Sequence, residues 1–189
     1  LSSFYFDIRK DVLYCDSLNS KKRKECTIVL NIILECLLKW LAPIFVFTTE
    51  EIFSLVNKKE KESIHEKNFV KIPSSWKDAK LNEKWNNLYK IKQEANIAIE
   101  QKRANKEIGS SLEAEIEIYV KEDEYDLMEG MDLSEYFITS KATKFKNKNN
   151  DDSIKVLVKK SAGSKCPRCW KILQGKCVRC DQATDGAIS

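Results

Sequence analysis

Four cysteines in fifteen residues, Cys166-Pro-Arg-Cys169 and Cys177-Val-Arg-Cys180, constrain this chain more than any other feature. A two-residue spacing lets both sulfurs of a pair face one point while the intervening amides donate to the thiolates. Two such pairs make an all-sulfur tetrahedron, which zinc accepts with no open position. Seven residues separate the pairs, and a connection of that length reaches roughly 20 Å when extended, so the pairs meet without strain. A closed shell leaves no place for an activated water. The ion's expected role is therefore structural, holding a tail (residues 161–189) that has no core of its own. Two readings compete. Two disulfides need an oxidising compartment that nothing else in the sequence supports, and iron accepts the same four thiolates.

Away from the tail the chain reads as mainly helical. With only 5 Gly and 3 Pro in 189 residues, it is neither a flexible linker nor a turn-rich β protein. Leu1, Phe4, Tyr5 and Ile8 fall at helical spacing, and an opening on Leu1 implies that the polypeptide begins upstream. An apolar helix is expected from about Cys26 to Leu41, central to a bundle. Asn31, Glu35 and Lys39 interrupt it, and it falls short of the roughly 18–20 apolar residues that a membrane span needs. Cys15, Cys26 and Cys36 lie in these surroundings as small hydrophobes, which fits a reducing, cytoplasmic setting. Thr48 and Glu51 have the spacing of a capping box, predicting a short helix that turns Ile52, Phe53, Leu55 and Val56 inward. Residues 59–80 look irregular. A long helix then spans about Asn82 to Lys106, burying Trp85, Leu88, Ile91, Ala95 and Ala98 or Ile99, with Gly109 as its stop.

The period changes after that glycine. Ala114–Val120 alternates, with Ile116, Ile118 and Val120 on one face and Glu115, Glu117 and Tyr119 on the other, the pattern of a half-buried strand. An acidic short helix is expected within 122–131, strands at Tyr136–Thr139 and Ile154–Lys159, and an exposed loop at Lys146–Asp152. The expected fold is a helical bundle (1–107), a small α+β junction subdomain (108–160) and a four-cysteine zinc module (161–189).

Charge is unevenly spread. The net charge is +4, yet residues 141–189 carry twelve Lys and Arg against four Asp, leaving the body mildly acidic. A basic tail on an acidic body points to a polyanionic partner. Arg168, Trp170, Lys171, Lys176 and Arg179 lie on or beside the cysteine pairs, and basic side chains around an indole suit phosphate contact with base stacking. The competing role for Trp170 is packing beneath the metal. Arg9 and Lys10 are further candidates for RNA contact. His65 is the one histidine; it has no nucleophile partner in the pattern and reads as a surface or packing residue.

Several stretches, in order, resemble one family. Leu1-Ser2-Ser3-Phe4-Tyr5-Phe6-Asp7-Ile8-Arg9-Lys10-Asp11 with Leu13-Tyr14-Cys15-Asp16 is similar to the anticodon-domain signature of bacterial-type isoleucyl-tRNA synthetases. Leu41-Ala42-Pro43, Phe47-Thr48-Thr49-Glu50-Glu51-Ile52-Phe53, Ser63-Ile64-His65, Lys106–Ala114 and Lys165-Cys166-Pro167-Arg168-Cys169-Trp170 resemble later segments of that family. The seven-residue loop between the cysteine pairs is shorter than is usual there. The resemblance implies a class I ligase that activates isoleucine with ATP and transfers it to tRNA(Ile), acting as a monomer with no membrane partner. This chain would supply anticodon binding and one zinc ion, and its partners would be tRNA(Ile) and the upstream catalytic and editing domains. Neither the His-Ile-Gly-His type motif nor the Lys-Met-Ser-Lys-Ser type loop occurs, so no catalytic residue is expected here, and ATP and Mg2+ belong to the region that carries those motifs. Two alternatives are the zinc-finger tail of a DNA-repair glycosylase and a purely structural zinc-capped scaffold.

Overall fold

Helix gives way to sheet near residue 109, as the change of period predicts. The computed structural model describes residues 1–58, 62–147 and 153–185. Two compact units result, one formed by Leu1–Leu18 with Asp78–Ser189, the other by Asn19–Lys77.

In the larger unit a single wide turn, Ser2–Phe6, runs into helix α1 (Asp7–Cys15), and the chain leaves extended at Asp16. The long helix α4 (Ala79–Ala104) starts when the Asp78 side chain accepts from the Leu81 N–H. It ends earlier than Gly109 would dictate, because Lys106 takes the left-handed conformation, φ 59°. Glu107 then donates to the Lys102 carbonyl and Lys106 to that of Arg103, the paired bonds of a Schellman stop. Leu88, Ile91, Ala95 and Ile99 form the buried stripe of α4. Trp85 is only partly covered, its ring lying edge-on to Phe4. Lys92 is an unexpected member of the buried face, 4% exposed.

Strand β1 (Ala114–Val120) keeps the expected alternation, with Ile116, Ile118 and Val120 fully buried. These residues join the α4 stripe, Met128 and Phe137 in one core. Each large aliphatic side chain buried there contributes roughly 1.5–3 kcal/mol, and a one-residue slip of β1 would turn its glutamates inward. Short helices α5 (Glu122–Leu127) and α6 (Leu133–Tyr136) follow. The strand expected at Tyr136–Thr139 does not form: Tyr136 ends α6, Ile138 is left-handed at φ 57°, and the strand begins later, as β2 (Lys141–Lys146). Sheet order is β2-β1-β3, with β2 parallel to β1 and β3 (Lys155–Lys160) antiparallel to it. The parallel pairing accounts for α5 and α6, since two parallel neighbours need a crossover. Of the expected loop at 146–152, residues 148–152 lie outside the described ones.

The smaller unit pairs helix α2 (Lys21–Leu41) with α3 (Val46–Val56). Ser20 caps α2 through the Arg23 N–H, so the helix starts before its apolar run. Only Cys26, Cys36 and Leu38 of α2 are buried; Ile28, Val29, Leu37 and Trp40 are exposed, so α2 is not enclosed on all sides as its composition suggests. The Thr48–Glu51 capping box does not form. The helix α3 begins at Val46 without a side-chain cap, and the Thr49 hydroxyl donates to the Phe45 carbonyl instead. Of its four residues expected inside, Phe53 alone is buried, joining Leu38, Ala42 and Ile64. Single turns at Ile64–Glu66 and Ser74–Trp76 break the irregular segment. His65 is exposed and its Nε2 lies 3.2 Å from the Val46 carbonyl.

Candidate metal centre and nucleic-acid face

The first cysteine pair sits on a hairpin. Strands β4 (Ser164–Lys165) and β5 (Ile172–Leu173) pair antiparallel, and the Cys166 N–H donates to the Lys171 carbonyl while Trp170 N–H donates back to Cys166. Gly163 is needed at the foot of this hairpin: with φ 131°, a Cβ there would lie 2.2 Å from the Leu173 carbonyl oxygen. The second pair straddles the start of helix α7 (Val178–Asp185), Cys177 just before it and Cys180 in its first turn.

These two local structures bring all four sulfurs within 4.8 Å of one another, with Cys169 and Cys177 Sγ 3.8 Å apart. Sulfurs in a tetrahedral shell with zinc–sulfur bonds of about 2.3 Å stand roughly 3.8 Å apart, so the cysteines are positioned to hold one metal ion. Cys166, Cys169 and Cys180 are buried. Burial pushes the Cys166 thiol up, but the N–H groups of Cys169 and Arg168, with hydrogen bonds from the Cys169 and Cys180 thiols, outweigh it and bring it down to about 7. A fifth thiol, Cys15, packs against the cluster from α1. Burial followed by the charge of Asp11 raises it to about 11, which makes it a neutral lining group.

Trp170 does not pack beneath the metal site. It is 59% exposed and has φ 64°, a conformation that costs a non-glycine residue about 1–2 kcal/mol. The Lys165 ammonium lies 5.7 Å from its ring centroid, within cation–π range. Lys176 is exposed on the loop between the pairs. The other cations expected at RNA have partners within the unit. Lys171 donates to Ser134 Oγ at 3.1 Å. Arg9 pairs with the buried Glu135 at 2.6 Å, and Lys10 pairs with Asp7 at 2.7 Å on the surface. Arg168 donates to the carbonyls of Tyr14 (3.0 Å) and Cys15 (2.6 Å), and Arg179 to both oxygens of Asp11 (2.5 and 2.8 Å).

A cleft of about 530 Å³ opens between α1, α6 and the first cysteine pair, with Ile8, Leu112 and Ile138 along it and Arg168, Trp170 and Lys171 at one side. Sequence reasoning located the cysteines, the indole and the lysines bordering this space. It missed the acidic residues of α1 and α6, Asp11 and Glu135, because their arginine partners are 168 and 126 residues away in sequence.

A family model described as the anticodon-binding domain of tRNA ligase matches residues 1–118. That is more than half of the chain, and the chain belongs to this family. Similar proteins are isoleucine–tRNA ligases. That of Pelagibacter ubique (strain HTCC1062) is 54% identical over 179 residues, covering 95% of this chain and 19% of the relative. That of Agrobacterium fabrum (strain C58 / ATCC 33970) is 40% identical over 181 residues, 91% of this chain and 19% of the relative. The enzyme of Thermoanaerobacter sp. (strain X514) is 34% identical over 183 residues, 90% and 20% respectively. The chain is a homologue of the isoleucine–tRNA ligases and spans about a fifth of the length of these curated relatives. Among the described residues no helix is long and apolar enough to cross a membrane.

Proposed function

We propose that this chain binds the anticodon region of tRNA(Ile) as part of an isoleucine–tRNA ligase that attaches isoleucine to tRNA using ATP. The observation carrying this reading is the family match over 1–118, with the four-cysteine cluster further along the same chain. In this reading residues 1–107 grip the anticodon stem, 108–160 form the junction, and 161–189 bring the metal module to the loop. The ion in this reading is zinc, which accepts four sulfurs with no open position and when bound would hold the two cysteine pairs together. In this reading Trp170, 59% exposed, offers a ring face for a base, and Lys176, Lys171 and Lys10 supply contacts to phosphate. Arg9, Arg168 and Arg179 are further candidates for RNA contact, though their guanidiniums are occupied within the unit.

Activation and transfer of isoleucine, with ATP and Mg2+, then reside in the upstream catalytic and editing domains of the same polypeptide. The chain itself contributes no catalytic residue. A cytoplasmic monomer with no membrane contact is the matching cellular form. The test is binding of tRNA(Ile) to the protein in a salt series. Phosphate contacts predict an affinity that falls steeply as salt rises and exceeds that for unrelated tRNAs. A flat series, or tighter binding to duplex DNA, would refute the reading.

A further inference from the structure

Each cysteine pair carries an arginine immediately before its second cysteine, Arg168 before Cys169 and Arg179 before Cys180. Both side chains reach the C-terminal half of α1. Arg168 donates from Nη1 to the Cys15 carbonyl and from Nη2 to the Tyr14 carbonyl, which are among the acceptors a helix leaves unsatisfied at its C-terminus. Arg179 forms a two-pronged pair with Asp11, and its Nη1 also lies 3.5 Å from Asp16 Oδ1. Asp11 and Asp16 are largely covered, at 20% and 13% side-chain exposure. A third link runs from the Cys15 Sγ to the Arg168 carbonyl at 3.7 Å.

We propose that Arg168 and Arg179 are positioning residues that latch the metal module to the end of α1, setting where Trp170 and Lys176 stand, rather than contacts to RNA phosphate. The inference rests on the anticodon-binding reading for its consequence, though not for the latch itself. Each arginine is one residue from a cysteine of the cluster, so closing the four-sulfur shell sets where the two arginine backbones stand, and α1 presents carbonyls and carboxylates within reach of their side chains. A planar guanidinium gripping a carboxylate through two bonds fixes direction as well as distance, which suits a docking contact between a small module and a helix.

The opposing carboxylate gives a test of sign. Were Arg179 a phosphate contact, Asp11→Ala would free the cation, remove an anion near the RNA and tighten binding. A latch predicts the reverse: Asp11→Ala and Arg179→Ala each weaken tRNA(Ile) binding by roughly tenfold through lost pre-organisation, with metal content still one per chain. The charge-exchanged double variant Asp11→Arg/Arg179→Asp should recover part of that loss. Asp11→Asn, which keeps the shape, serves if Asp11→Ala folds poorly. Amide hydrogen exchange across residues 11–16 reads the latch without RNA. Faster exchange in Arg179→Ala supports it even if no protein binds tRNA, in which case only the functional reading fails. Unchanged exchange, or Asp11→Ala binding as tightly as the parent while Arg179→Ala binds weakly, overturns the latch.

Discussion

Lys92 allows the electrostatics of the core to be tested quantitatively. It projects from α4 into the core with 4% exposure, donates to the Tyr136 carbonyl, and lies 5.0 Å from the Tyr136 ring centroid and 6.0 Å from that of Phe137. Burial lowers its pKa from 10.5 to about 8, against the opposing pull of Asp7. In the unfolded chain the amine holds its proton up to about pH 10.5, so between pH 8 and 10.5 the unfolded state binds more protons and stability rises with pH. Below pH 8 the charge is present in both states and the full penalty stands. At about 1.4 kcal/mol per pKa unit, the window is worth about 3 kcal/mol.

Replacing Lys92 by Met removes this dependence and also leaves the Tyr136 carbonyl without its donor, a loss of about 1–3 kcal/mol at all pH values. The two effects oppose each other at pH 7, so the trend is the informative quantity. Denaturant unfolding of both proteins between pH 7 and 10.5, followed by circular dichroism, should show the stability difference moving in favour of the parent by about 3 kcal/mol. Groups common to the two proteins cancel in that difference. Parallel stability curves would refute the reasoning.

Two further substitutions test local backbone claims. Lys106→Gly removes the penalty of a left-handed lysine at the α4 stop and should raise stability by about 0.5–1 kcal/mol, seen as a higher melting temperature. A lower one would mean that the Lys106 side chain contributes more than its conformation costs. Gly163→Ala should break the β4–β5 hairpin, because the added Cβ would sit 2.2 Å from a backbone oxygen. Metal content per chain should fall, and an unchanged stoichiometry would contradict the role given to that hairpin.

What was legible in the sequence follows from the range over which each signal acts. The cysteine pairs and the alternation of β1 are local patterns, and both structures appear where those patterns stand. The α4 stripe is likewise local, and four of its expected residues, Leu88, Ile91, Ala95 and Ile99, are buried. Boundaries set by competition were less visible. Gly109 looked like the helix stop, but Lys106 bends first because the two Schellman bonds can close there. Tyr136–Thr139 has the composition of a strand, yet Asp132 caps a helical turn by accepting from the Glu135 N–H, and that carries Tyr136 into a helix. The buried Lys92 and the arginine–carboxylate pairs depend on residues distant in sequence, and no periodicity announces them. At the candidate site, the residue types were readable and their partners were not.

Anticodon reading is the central claim made for this protein. Its most direct measurement compares the affinity of the metal-loaded protein for an anticodon stem–loop of tRNA(Ile) with that for the same stem bearing another anticodon. Stacking tolerates any base, so the difference comes from base-edge hydrogen bonds. Leaving one such buried partner unsatisfied costs about 1–3 kcal/mol, which predicts a complex weaker by roughly fivefold or more for the altered loop. Equal affinity for the two loops would show that these residues hold RNA without reading it.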